Sequence, residues 1–433
     1  MLTVVAALFL LSPAGSARQA NVAPQEVLAR ATVSPADRQL ALAQLWREAR
    51  DSFAYYDRVA ATWDRLYQQF APRVAAAATD HAYYLELMRF YAHLHDGHSG
   101  VFWPAAFDEA LGYPPLEIRP VNGRAVIVRL LRQTDELTTL GISPGLAINR
   151  VDDRPVGELV DYWRALKTGS TPQATDRLAY FRVLTGPRQS TVTVTVETPD
   201  GAARQVRLTR SEKYFNDTNL DPPVAHVARH LDGGLGYFQA NQMRPEVSEA
   251  FARFIEDAAD LKGLIVDVRY NGGGSDQVSF EMVRRLIDRQ ATGPIYEVTS
   301  YRADRRAFRE PQEVIRTQPT LAPATGRRFT GKLIVLIGPQ SHSATESGFL
   351  SVIRRRPDTI FIGEPTAGST GQPLVFPLPG GGLGVVCSRR SFSPDGSEFV
   401  GIGFKPDVAA HLTAADLFTD RDSTLATAIT LLR

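Results

Sequence analysis

Gly263-Leu264-Ile265-Val266-Asp267-Val268-Arg269 is a short, almost unbroken apolar run, and it ends in Tyr270-Asn271-Gly272-Gly273-Gly274-Ser275. A run of that length without polar alternation marks a strand buried on both faces. The pattern recurs downstream in KLIVLIG from Lys332 and in TIFIGEP from Thr359, and upstream in GLGYFQA from Gly234. Helical spacing fills the gaps. PEVSEAFARFIEDAADLK puts Val247, Phe251, Phe254, Ile255, Ala258 and Leu261 on one face, and VSFEMVRRLI and SATESGFLSVIRR follow. Alternating buried strands and helices predict a largely parallel sheet with right-handed crossovers. Functional residues then belong at the carboxyl ends of the strands. APATGRRFT, residues 322–330, reads as a surface loop.

Upstream the texture changes twice. Residues 35–95 are rich in Ala, Leu, Tyr and Arg. Leu40, Leu45, Trp46, Phe53, Tyr56, Trp63, Leu66, Tyr67 and Phe70 recur at helical steps, as do Tyr84, Leu87, Met88 and Tyr91. These aromatics read as core, with Asp80 as an N-cap and Gly97 and Gly100 as breakers. Residues 112–213 carry short β runs: LEIRPV, AVIVRLL, LAINRV, STVTVTVET and ARQVRLTR. Pro199-Asp200-Gly201 joins the last two as a hairpin, and a helix opens near Val156. The segment GISPGLAINRVDDRPVGEL resembles the back half of a PDZ domain, although Leu111-Gly112-Tyr113-Pro114-Pro115-Leu116 departs from the glycine-rich loop of carboxylate binders.

The chain has 433 residues, enough for about three domains at roughly 150 residues each. With 44% hydrophobic and 22% charged residues it reads as globular rather than disordered. Lys plus Arg is 48 and Asp plus Glu is 47, so bulk charge provides no reason for a nucleic-acid partner. The opening apolar stretch Leu2–Leu11 is too short to span a bilayer, and small residues precede Arg18. It reads as a secretory signal peptide over 1–20, cleaved near Ala17. The mature chain is then periplasmic or secreted, with no membrane span. Cys387 is the lone cysteine, which excludes an internal disulfide and every multi-cysteine metal site. It lies in GLGVVCSRR, away from the loops that look reactive, so a thiol mechanism is not expected.

Three loops carry candidate chemistry. The glycine run Gly272–Gly274 exposes backbone N–H groups, and it lacks the Lys-Ser/Thr pair of a phosphate loop. Gln340-Ser341-His342-Ser343-Ala344-Thr345-Glu346-Ser347 opens a helix after a strand. Ser343 there fits two readings: a nucleophile with helix N–H groups beside it, or an N-cap in a capping box with Glu346. Spacing alone favours the cap. His93-Leu94-His95-Asp96-Gly97-His98-Ser99 closes a helix and invites a metallohydrolase reading on His93, His95 and His98, but the remaining histidines sit in no ligand motif.

Together, and in this order, these loops resemble the carboxyl-terminal processing, or tail-specific, serine peptidases. The likeness runs from about residue 40 to 425 through DGHS, DVRYNGGGS, QSHSATES, IGEPTAGSTG and GIGFKPDV. It implies a multi-domain α/β protein: a helical domain over 25–108, a PDZ-like domain over 112–213, and a ClpP/crotonase-like peptidase core over 214–433. It implies a serine endopeptidase acting on extended polypeptides through an acyl-enzyme on Ser343, with no cofactor. One branch of the family pairs the serine with a lysine, but here the matching stretch is Thr366-Ala367-Gly368-Ser369-Thr370-Gly371. The tricorn-like branch uses a histidine from the N-terminal side, which implies His98 as general base. His342 is the local rival, too close in sequence to reach Ser343. For the third member, the family's Glu position is occupied by Val400; Glu398 lies two residues earlier, where a strand would turn it to the same face and a turn after Asp395-Gly396 would leave it solvated. The oxyanion donors implied are Ala344 and a glycine of the run, Gly273 foremost, with Gly272 beside it. A ligand-binding protein without catalysis on the same fold is the other reading left open.

Overall fold

The computed structural model describes residues 23–213, 224–257 and 260–433. The segment read as a signal peptide and Ala258 lie outside the described residues. The core sheet runs His226–Leu231, Leu235–Ala240, Gly263–Asp267, Lys332–Ile337, Thr359–Gly363, Val408–Ala409 in spatial order. Only the first pair is antiparallel; the rest are parallel, as the alternating pattern predicts. Helices Pro245–Asp257 and Asp276–Arg284 pack on one face, with Phe251, Phe254, Met282 and Val283 against Val266 and Val335. The C-terminal helix Ser423–Leu432 covers the other face through Ala428 and Leu432. Apolar strands sandwiched this way remove both side-chain faces from water, which is why their sequence shows no alternation.

Ahead of this core lie helices Pro35–Ser52, Ala60–Ala75 and Asp80–Ala92. Trp63 is fully buried and stacks on Phe90 with ring centroids 4.5 Å apart. Two expectations need correction. Leu40 is 59% exposed, because the buried stripe of its helix runs through Ala41, Leu42, Leu45 and Ala49 instead. The last helix is capped by Thr79, whose hydroxyl accepts the Ala82 N–H at 3.1 Å. Asp80 turns away to accept the Thr32 and Val33 N–H groups at 2.8 and 3.0 Å. The stretch over 322–330 is a largely exposed loop, as read, with Phe329 alone buried in the core cluster.

Strand Gly100–Phe102 leaves the end of that helix and pairs antiparallel with Gly382–Cys387, stitching the helical region to the far end of the chain. Between them sits an antiparallel sheet of Leu116–Val121, Arg124–Leu130, Ala147–Val151, Thr191–Glu197 and Ala203–Thr209. Val192, Val194 and Val196 alternate inward, and helices Val156–Arg164 and Pro172–Phe181 accompany the sheet. One continuous hydrophobic cluster includes Leu87, Ile127, Val194 and Val386, so helices, middle sheet and C-terminal strands share a core. Among the described residues no helix is long and apolar enough to cross a membrane.

Candidate active site

Ser343 follows the strand Lys332–Ile337 on a tight turn and has a positive φ of 59°. A non-glycine residue is held there only when its surroundings over-determine it. Its N–H donates to the Ser369 carbonyl at 2.8 Å. The helix that follows starts with a wide π-type turn, Thr345–Leu350, a feature often found at functional sites.

The glycine run lies against this turn. Gly273 has φ 100°, and a Cβ there would sit 2.5 Å from Ser343 Cβ and 3.1 Å from Ala344 N. No side chain fits between the two backbones, which gives that glycine a reason beyond flexibility. Its N–H is engaged: Asn271 Oδ1 accepts it at 2.9 Å and also takes the Thr345 hydroxyl at 2.7 Å. Gly273 was the expected second oxyanion donor, so this is a departure. An Asx-type turn holds that N–H, and sequence spacing carries no sign of which N–H the asparagine takes. Ala344 lies at the head of the helix beside Ser343. The Gly272 carbonyl receives His342 Nδ1 at 3.3 Å.

His98 arrives from 245 residues away and places Nε2 2.9 Å from Ser343 Oγ. Its turn is pinned from several sides. The Asp96 carboxylate, only 2% exposed, accepts the His98 N–H at 3.0 Å and the Ser99 hydroxyl at 2.8 Å. Ser99 Oγ accepts the Cys387 N–H at 3.0 Å, the Thr168 hydroxyl donates to the Ser99 carbonyl, and the Gly97 N–H donates to Ser170 Oγ at 2.9 Å. Burial lifts the Asp96 carboxyl to about 6. Burial, and then the nearby His342 and Arg389, holds the His98 imidazole well below its usual range, so it is neutral at pH 7. The His342 ring stacks on it at 4.6 Å between centroids and 14° between planes, and burial pushes His342 down to about 4.

The second ring nitrogen, His98 Nδ1, lies 2.9 Å from Ser369 Oγ. Glu398 does not take that place. It is 46% exposed and pairs with Arg58 at 3.3 Å and Arg390 at 3.8 Å. The capping box fails as well: Glu346 is fully buried and accepts the Gly368 and Ser369 N–H groups at 2.8 and 2.7 Å and the Thr366 hydroxyl. Burial drives its carboxyl up to about 8. The metal reading dissolves geometrically. His93 packs edge-on against Phe70 while His98 turns to Ser343, and no three His, Cys, Asp or Glu side chains among the described residues could hold a metal. Ser369 is the site residue that sequence reasoning passed over. Its signal was a run of small and hydroxyl residues, Thr366-Ala367-Gly368-Ser369-Thr370-Gly371.

Residues 234–410 match the model of Peptidase family S41. A carboxy-terminal-processing protease of Bartonella bacilliformis is 25% identical over 210 residues, 47% of this chain and 44% of that protein. The match thus spans less than half of that relative's length. The mature CPAF structure complexed with lactacystin is similar over 92% of this chain and 98% of that one, with TM-score 0.73 and 14% identity. A putative peptidase from Parabacteroides merdae covers 92% and 96%, with TM-score 0.53 and 18% identity. The two solved structures establish a shared multi-domain α/β fold. With the family match they support a serine peptidase, a hydrolase.

Proposed function

We propose that this chain is a serine endopeptidase that cleaves extended polypeptides, with Ser343 as nucleophile and His98 as general base. The observation that carries the reading is the 2.9 Å contact between His98 Nε2 and Ser343 Oγ. A neutral imidazole at that distance takes the hydroxyl proton as Ser343 attacks the peptide carbonyl. The Ala344 N–H, at the positive end of the following helix, faces the developing oxyanion. His98 then returns the proton to the leaving amine. Water, activated by the same ring, releases the acyl group. Every step uses side chains and backbone already present, and no cofactor enters.

The antiparallel sheet over 112–213 is read as a PDZ-like module that guides the substrate, and the mature chain as periplasmic or secreted after loss of residues 1–20. The module touches the site directly. Thr171 Oγ1 donates to the Ala367 carbonyl at 2.9 Å, and Gln173 Nε2 to the Thr366 carbonyl at 2.8 Å. A fluorophosphonate probe tests the reading: it should modify Ser343 and no other serine, as mapped by mass spectrometry. Labelling that persists in Ser343→Ala would overturn the nucleophile assignment.

A further inference from the structure

Among the described residues no carboxylate is hydrogen-bonded to the His98 ring; the ring's two partners are the Ser343 and Ser369 hydroxyls. A histidine base needs its far nitrogen protonated and pointed at an acceptor, so that the near nitrogen presents a lone pair to the nucleophile. Ser369 Oγ is in the place to accept that Nδ1–H.

Ser369 is itself fully buried and held from three directions. Its N–H donates to the Glu346 carboxyl group at 2.7 Å. Its carbonyl accepts the Ser343 N–H at 2.8 Å. Its hydroxyl sits against Gly97, where a Cβ would lie 2.7 Å from Ser369 Oγ. One residue therefore grips the nucleophile by its backbone and the base by its ring. Glu346 fixes the loop that carries it through Thr366 and Gly368 as well. The arrangement explains why a carboxyl group is buried beneath a loop of small residues. It also explains why residue 97, next to the base, is glycine.

We propose that Ser369, seated by Glu346, is the positioning residue that holds His98 in its Nδ1–H tautomer, in the role a carboxylate plays in an ordinary serine triad. The inference rests on the serine-peptidase reading above. When His98 accepts the Ser343 proton at Nε2, the imidazolium Nδ1–H donates to a neutral hydroxyl rather than to an anion. Such a bond is weaker than a charge-assisted one to carboxylate. It leaves His98 a modest base, in keeping with the depressed basicity of the buried ring.

The test is the pH dependence of Ser343 labelling by a fluorophosphonate in wild type, Ser369→Ala and Ser369→Thr. Ser369→Ala should label about tenfold to a hundredfold more slowly, the loss of one buried hydrogen bond. The acid limb of its rate profile should move to lower pH, because the imidazolium loses an acceptor. Ser369→Thr, which keeps the hydroxyl, should restore both rate and limb. Equal losses in the Ala and Thr variants, or an Ala variant with wild-type rate and limb, would overturn the proposal. Wild type that never labels would instead overturn the nucleophile reading. Should Ser369→Ala fail to fold, nitrogen-15 NMR of the wild-type His98 ring decides: a proton on Nδ1 supports the proposal and a proton on Nε2 overturns it.

Discussion

The two halves of the site are built by opposite means. The half that carries the proposed nucleophile is local: a parallel strand, a strained turn at Ser343 and a helix, within residues 332–350. The half that carries the proposed base is assembled at long range. His98 stands on a turn whose fixed points are Asp96 beside it, Thr168 and Ser170 from the middle module, and Cys387 from the far end of the chain. The first half stores strain in a short stretch of backbone; the second depends on several segments docking correctly. Loss of the Ser343 hydroxyl should be severe and leave stability unchanged, whereas loss of the contacts that anchor the His98 turn should couple activity to overall stability.

The largest expected effect is on the local half. Ser343→Ala should lower peptidase turnover by about 10⁴- to 10⁶-fold without altering the melting temperature. In the same half, Gly273→Ala should cost less. The new Cβ meets Ser343 Cβ at 2.5 Å, and the backbone must hold φ 100°. Displacing the nucleophile by a fraction of an ångström to an ångström should reduce kcat by about 10²-fold, with about 1–3 kcal/mol of stability lost to strain.

The long-range half should respond differently. Asp96→Ala strands the part-buried His98 N–H and the buried Ser99 hydroxyl, so it should cost about 1–3 kcal/mol in chemical denaturation and reduce kcat in parallel. If activity falls with no loss of stability, the two halves are not as distinct as described. The pH profile probes the same half. With His98 held below its usual range, kcat/KM should stay level as pH drops from 7.5 through 6.5 and decline only at lower pH. The sign follows from the neutral ring being the active form: depressing its basicity moves the acid limb down. A limb centred above 6.5 would contradict the burial of the base. The smallest effect belongs to Glu398→Ala, which removes an exposed ion pair with Arg58 and should change turnover and stability within about 1 kcal/mol.

This contrast also explains what could be read from the chain alone. The strands Gly263–Asp267, Lys332–Ile337 and Thr359–Gly363 were legible because burial on both faces leaves a continuous apolar signature. The hairpin through Pro199-Asp200-Gly201 was legible from turn chemistry. The distance between His98 and Ser343 was not, because it depends on how segments hundreds of residues apart dock. Glu346 three residues after Ser343 looked like half of a capping box, yet the positive φ of Ser343 and the wide first turn send that carboxyl group inward to Gly368 and Ser369. Glu398 drew attention as the nearest acid to the expected place, and Arg58 claims it instead. Ser369 carries no charge and no motif of its own, so only geometry identifies it. Leu40 failed for a plainer reason: helical spacing admits two neighbouring stripes, and tertiary packing chose the one through Ala41 and Leu45.

The most direct test of the central claim is turnover of an unstructured polypeptide such as casein by wild type and by His98→Ala at pH 7. A Ser343–His98 pair predicts measurable cleavage by wild type and a drop of about 10³-fold or more in the variant, with melting temperature preserved. Undiminished cleavage by His98→Ala would contradict it.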